Sequence, residues 1–212
     1  MAKKILILGD SGAGKSTAIR NLDPASTYII QGTPKELPFK GSSKNYNKEK
    51  RNLRAPQTIK NINGILKGIN EKGPHIKTIV IDDFNYFMNF DYFERIFEKG
   101  YDKYNEIAKD VRDVFNTIDS LRDDLIVYVM AHIQRNEEGI ISTKTVGKLL
   151  DNLLVIEGLF TIVFLAFGAK FDYKFKTGGI VPAKAPVGMF ENNEVENDLA
   201  LINKIIKEYY ED

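Results

Sequence analysis

Eight residues near the start of the chain, Gly9-Asp10-Ser11-Gly12-Ala13-Gly14-Lys15-Ser16, restrict what it can fold into more than any other segment. They fit a glycine, four residues, then Gly-Lys-Ser. The apolar run Lys4 to Leu8 stands before them, the pattern of a strand buried on both faces. A helical pattern, Lys15 to Leu22, follows and stops at Asp23-Pro24. Strand, glycine-rich turn and helix in that order form a cradle for phosphate. The glycines let the loop curl so that successive N–H groups face an anion, and the helix start adds its positive end. Lys15 then supplies a point charge for the outer phosphates, and Ser16 a hydroxyl for a magnesium ion. Residues Gly9 to Thr17 are therefore the expected binding segment for a nucleoside triphosphate with its Mg²⁺.

The rest of the chain supports an α/β reading. Apolar runs at Thr27 to Ile30, Lys77 to Ile81, Leu125 to Ala131 and Thr161 to Phe167 alternate with helical spacing at Thr58 to Asn70 and Phe84 to Leu121, the latter broken at Gly100. A mainly parallel central sheet with flanking helices is expected. Phe171 to Lys176 and Ile180 to Ala183, around Gly178-Gly179, predict a hairpin. Leu199, Ile202, Ile205, Ile206 and Tyr209 share one face of a closing helix. With 212 residues and no repeat, one domain spanning 1–212 is expected.

Composition excludes several function classes. The chain has no cysteine, so disulfides, thiolate metal sites and cysteine nucleophiles are out, which is compatible with a reducing cytosol. No targeting segment is evident, and the most apolar stretch, Leu153 to Phe167, falls short of the ~20 residues of a membrane span. A cytoplasmic protein without membrane attachment is expected. The 30 basic and 29 acidic residues give a net charge of +1, which excludes a strongly basic coat for DNA. Locally the balance differs. Between Thr33 and Pro56, a segment read as a long surface loop, seven basic residues face two acids.

A triphosphate site of this kind needs an acid for its magnesium, at the end of a neighbouring buried strand. Asp82, closing Thr78-Ile79-Val80-Ile81, meets that requirement. Asp83 follows directly and is placed to polarise an attacking water. His132, at the tip of the fourth strand, reads either as a sensor of the terminal phosphate or as a satisfied structural histidine, and His75 reads as ordinary surface. No guanine-specificity motif, ABC signature or arginine-rich lid is found, and Asp82-Asp83-Phe84-Asn85 is not the DxxG of GTPases.

Beyond the phosphate loop, several segments resemble the small bacteriophage-encoded AAA-type, RecA-like ATP-binding proteins related to phage single-strand-annealing ATPases. They are Ile81 to Tyr86, Glu98 to Tyr104, Thr143 to Asp151, Glu157 to Val163 and Ala183 to Phe190. The resemblance implies a RecA-like core, ATP hydrolysis, homo-oligomers with ATP near subunit interfaces, and a role beside phage recombination or replication proteins in a host cytoplasm. It makes Glu36, just after the second strand, a rival to Asp83 for the water. It also makes Lys184 and Lys148 candidates for a basic residue that completes a neighbour's site. Single-stranded DNA is the expected polymer partner. Nine aromatics lie between Phe84 and Tyr104, interleaved with cations, and would stack bases if exposed. Core packing explains the same aromatics if they are buried. The loop Ile133 to Lys148 sits where RecA-like proteins place a DNA-binding loop. Two other readings use the same phosphate loop: a small-molecule kinase, with the aromatic segment as acceptor pocket, and a non-hydrolysing nucleotide-gated interaction module.

Overall fold

The computed structural model describes residues 1–56, 58–170 and 172–211. In chain order the strands and helices are β1 (Lys3–Gly9), β2 (Thr27–Gln31), α1 (Ser42–Asn45), β3 (Leu53–Arg54), α2 (Ile59–Lys72), β4 (Thr78–Asp82), α3 (Phe84–Glu94), α4 (Asp102–Asp119), β5 (Ile126–Arg135), β6 (Ile141–Thr143), α5 (Lys148–Leu153), β7 (Ile162–Ala169), β8 (Asp172–Lys176), β9 (Glu194–Glu196) and α6 (Leu199–Glu211). Short 3₁₀ turns lie at Ser16–Asn21 and Ile156–Leu159.

The strands form one sheet in the order β3-β2-β4-β5-β1-β7-β8-β9, with β6 attached to β5. Strands β2, β4, β5, β1 and β7 run parallel, so their carboxyl ends open on one crevice. This is the strand order of a RecA-like P-loop fold, as the resemblance implies, and the parallel run is the one the alternation of elements predicts. Along β1, Leu6 and Leu8 face the core closed by α2, α3 and α4. Ile5 and Ile7 face the opposite core with Ile19, Phe175, Ile202 and Ile206. That alternation is the period of two a strand must show, and burial on both faces explains why the run reads as uniformly apolar. Helix α4 meets the first core with Ile107, Val111, Val114, Phe115 and Ile118, a helical stripe. No helix among the described residues is long and apolar enough to cross a membrane.

Four local expectations need correction. The helix after the phosphate loop is a six-residue 3₁₀ turn that ends where Leu22 becomes extended, just ahead of Asp23-Pro24, and tighter 3₁₀ winding is used in such short pieces. The segment from Thr33 to Pro56 is not simply a surface loop: Leu37, Ser42, Tyr46 and Asn52 are buried, and Leu53–Arg54 adds a strand to β2. The loop expected from Ile133 to Lys148 is largely a β5–β6 hairpin arm. Asn136 turns it by accepting the N–H groups of Glu138 and Ile140. The C-terminal hairpin is paired differently. Strand β8 lies between β7 and β9, since Thr177 binds residues 192 and 193, and Ile180 to Ala183 is no strand. Pro182 has no N–H to give a ladder, and Lys184 makes only an isolated bridge to Val163. Phe171, expected to open that hairpin, lies outside the described residues.

Candidate functional site

Four parallel strands end together. Gly9 of β1 pairs with His132 of β5, and Gln31 of β2 pairs with Asp82 of β4. The phosphate loop thus faces Asp82, Asp83 and His132 across the crevice. A cavity of about 270 Å³ opens there, lined by Ser11, Gly12, Gly14, Lys15, Ser16, Thr17, Lys35, Glu36, Pro38, Asp83, His132 and Tyr173.

The loop has the shape the spacing demands. Gly14 sits at φ +89°, and a Cβ there would stand 2.6 Å from Cγ of Tyr173. Glycine is required on both counts. Lys15 is only 5% exposed and donates from Nζ to the carbonyls of Gly9 (2.8 Å) and Asp10 (2.9 Å). Burial lowers its pKa to about 8, against the pull of Asp82 and Asp83 and with the push of Lys35. Ser16 Oγ lies 3.0 and 2.8 Å from the two oxygens of Asp82. Asp82 is fully buried, and burial, with the charge of Asp83, raises its pKa to about 6.

Asp83 begins α3 in the left-handed region, φ 57° and ψ 44°, which aspartate tolerates better than most residues. That turn presses its carbonyl against Gly32, where a Cβ would come within 2.3 Å of the oxygen. Only glycine permits β2 to leave the sheet so close to β4. The Asp83 carboxylate accepts from Thr33 Oγ1 (3.0 Å) and from the ammonium of Lys35, and lies 3.5 Å from His132 Nε2. Burial works to raise its pKa, but these partners outweigh it and hold the group below the usual carboxylate range. The other ring nitrogen of His132, Nδ1, is 3.4 Å from Lys15 Nζ. One nitrogen facing an acid and the other a cation fits the tautomer with its proton on Nε2.

The structure therefore brings Gly9 to Thr17, Asp82, Asp83 and His132 together, with Glu36 on the rim of the same cavity. Lys148 opens α5 and Lys184 borders β7; both are exposed and neither lines the cavity. None of the nine aromatics between Phe84 and Tyr104 lines it either. Phe84 and Phe87 belong to the core, while Phe93, Phe97 and Tyr101 are exposed.

Several contributors escape sequence reading. Asn85, buried, accepts from the N–H of His132 (2.5 Å) and donates to the carbonyl of Lys144, fixing the tip of β5. A polar residue inside an apolar helix start is its signal. Tyr173 and Asn197 brace the loop from the far end of the chain, the latter donating to the Gly14 carbonyl at 3.2 Å. Nothing local marks them. Arg135 pairs with Asp10 through both oxygens, Nη2 lying 2.9 Å from Oδ2, and holds the Asp10 pKa down.

The residues present fit a magnesium nucleotide. Ser16 and Asp82 offer hard oxygen donors at one point. No group of three or more His, Cys, Asp or Glu side chains that could hold a metal exists among the described residues. A cation here would complete its shell with phosphate oxygens and water, which is magnesium's habit.

A parallel sheet in this order, with a glycine-rich loop, lysine, serine and facing aspartate, defines a P-loop nucleotide-binding protein. The AAA domain family matches residues 1–164, and the chain belongs to that family of P-loop ATPases. No curated protein matches the chain in sequence.

Proposed function

We propose that the chain is a Mg²⁺-dependent ATPase whose turnover is coupled to the handling of single-stranded DNA, as in phage recombination, annealing or replication. One observation carries the ATPase reading: buried Lys15 and the Ser16–Asp82 pair face the same cavity as Asp83, His132 and Glu36. Lys15 orients the phosphates. Ser16 and Asp82 would hold the metal, whose charge would offset that developing on the phosphoryl oxygens. Hydrolysis adds water across the outer phosphoanhydride to give ADP and phosphate. Asp83 is committed to Thr33, Lys35 and His132, which favours Glu36 as the carboxylate that orients the water and takes its proton. His132, between Lys15 and Asp83, is placed to report loss of the terminal phosphate to β5.

The DNA reading draws on charge. Lys40, Lys44, Lys48, Lys50, Arg51 and Arg54 are exposed, and none forms an ion pair among the described residues. They lie on the segment that leads out of the cavity at Lys35 to Pro38. Phosphate contacts of that kind release counterions, so binding must weaken steeply with salt. The test is ATP turnover with and without single-stranded DNA across a salt series, for the native chain, Lys15→Ala and a Lys44→Glu/Lys48→Glu/Lys50→Glu variant. Lys15→Ala should abolish turnover, and the triple variant should lose only the DNA stimulation. Turnover that survives in Lys15→Ala refutes the ATPase reading. Stimulation that is flat in salt, or absent, refutes the DNA reading.

A further inference from the structure

RecA-like assemblies commonly complete a triphosphate site with a cation from the next subunit, and Lys184 and Lys148 are the residues expected to serve. Both lie away from the cavity within the chain. Another cation is already inside it. Lys35 lines the cavity with Lys15 and Ser16, and its ammonium is paired with Asp83. The two partners differ sharply in setting. The Asp83 side chain is 3% exposed and the Lys35 side chain 47%, so the acid forms the back wall and the cation faces the opening.

The backbone that carries Lys35 is fixed. Gln31 donates from Nε2 to the Lys35 carbonyl at 3.1 Å, Thr33 is bound to Asp83, and Gly32 packs on the Asp83 carbonyl. An ammonium has three donors, and the pair with Asp83 leaves donors free for an anion. We propose that Lys35 is a phosphate-binding cation of this site, held by Asp83 so that it meets the terminal phosphoryl group of a bound triphosphate from within the same chain. The inference rests on the reading of the cavity as an ATP site. Asp83 then acts as a positioning residue that anchors Lys35. Although burial works against its charge, Asp83 raises the Lys35 pKa, so the cation keeps its proton. Its charge also bears on Lys15, as two cations around one polyanion must.

A contact made only to the terminal phosphate separates triphosphate from diphosphate binding. The experiment is calorimetric titration of AMP-PNP and of ADP, each with Mg²⁺, into the native chain, Lys35→Ala, Lys35→Met, Lys35→Arg and Lys15→Ala. Loss of a charge-assisted contact should weaken AMP-PNP roughly 10- to 100-fold in Lys35→Ala and Lys35→Met, with ADP affinity within about twofold of native. Lys35→Arg should recover most of the AMP-PNP affinity. Lys35→Met keeps the apolar stem, and unchanged ADP affinity certifies the fold, so the result stands if Lys35→Ala is unstable. Equal weakening of both nucleotides, or of neither, overturns the role of Lys35 while leaving the ATP site intact. A native chain that binds neither nucleotide, or a Lys15→Ala chain that binds both normally, overturns the ATP site and the role of Lys35 with it.

Discussion

Replacing Asp82 with asparagine should make the nucleotide-free protein more stable, and the gain should depend on pH. In the fold the Asp82 carboxyl titrates near 6, because it is buried and stands beside Asp83; unfolded, it titrates near 3.8. An acid with a raised native pKa binds more protons folded than unfolded. Its contribution is therefore stability that is lost as pH rises from about 3.8 to about 6 and stays lost above. A span of about two pH units, at about 1.36 kcal/mol each, amounts to on the order of 3 kcal/mol at pH 7.5. Asparagine is the neutral isostere. Its carbonyl still accepts from the Asp83 N–H, now 3.1 Å away, and its amide can donate to Ser16 Oγ. For a chain of this size the change corresponds to a rise in Tm of roughly 6–12 °C at pH 7.5, shrinking towards zero near pH 4. Thermal melts of both proteins from pH 4 to 8, in EDTA and without nucleotide, measure it. Asp83 is held ionised by its partners in both proteins across this range, so the difference reports the Asp82 charge together with its pull on Lys15. An Asp82→Asn protein no more stable than the native one at pH 7.5, or a gain that persists unchanged at pH 4, would refute the reasoning. With Mg²⁺ and ATP the order should reverse, since only the native carboxylate gains a cation.

Three further outcomes follow from the same contacts. Gly14→Ala adds a left-handed strain of roughly 1–2 kcal/mol and a collision with the Tyr173 ring of about 1–3 kcal/mol. Urea unfolding should show both losses, and Tyr173→Ala in that background should return only the second. Asn85→Ala leaves the His132 N–H and the Lys144 carbonyl without their partner, at about 1–3 kcal/mol for each, and the same titration measures the loss. Arg135→Ala removes an ion pair open to solvent, so Tm should not move measurably; differential scanning calorimetry checks it.

The central sheet is legible because its strands are buried on both faces and therefore read as unbroken apolar runs between turns. The phosphate loop and Asp82 are legible for a related reason: each is a short local pattern attached to such a run. What escapes is set by distance. Lys35 looks like one more cation of a basic loop until the Gly32 contact brings β2 against β4. Asn85 looks like a helix residue until β5 closes over it. The C-terminal hairpin misleads because Ile180 to Ala183 has strand-like composition, while the pairing goes to Glu194–Glu196 through Thr177. Composition decides which residues suit a ladder, and tertiary contacts decide which ones join it.

The match to the AAA domain ends at residue 164, yet the phosphate loop is braced by residues beyond it. Tyr173 lies against Gly14, Asn197 donates to the Gly14 carbonyl, and Arg20 donates in turn to the Asn197 carbonyl at 2.5 Å. A six-residue 3₁₀ turn cannot hold a glycine-rich loop in one shape through its own hydrogen bonds. Here β8, the residues after β9 and α6 supply the missing restraint, and Ile202 and Ile206 bury the turn's Ile19 from the other side. The nucleotide cradle and the C-terminal segment therefore form one mechanical unit. Loosening Asn197 or Tyr173 should reach the phosphate loop as surely as a change within the loop itself.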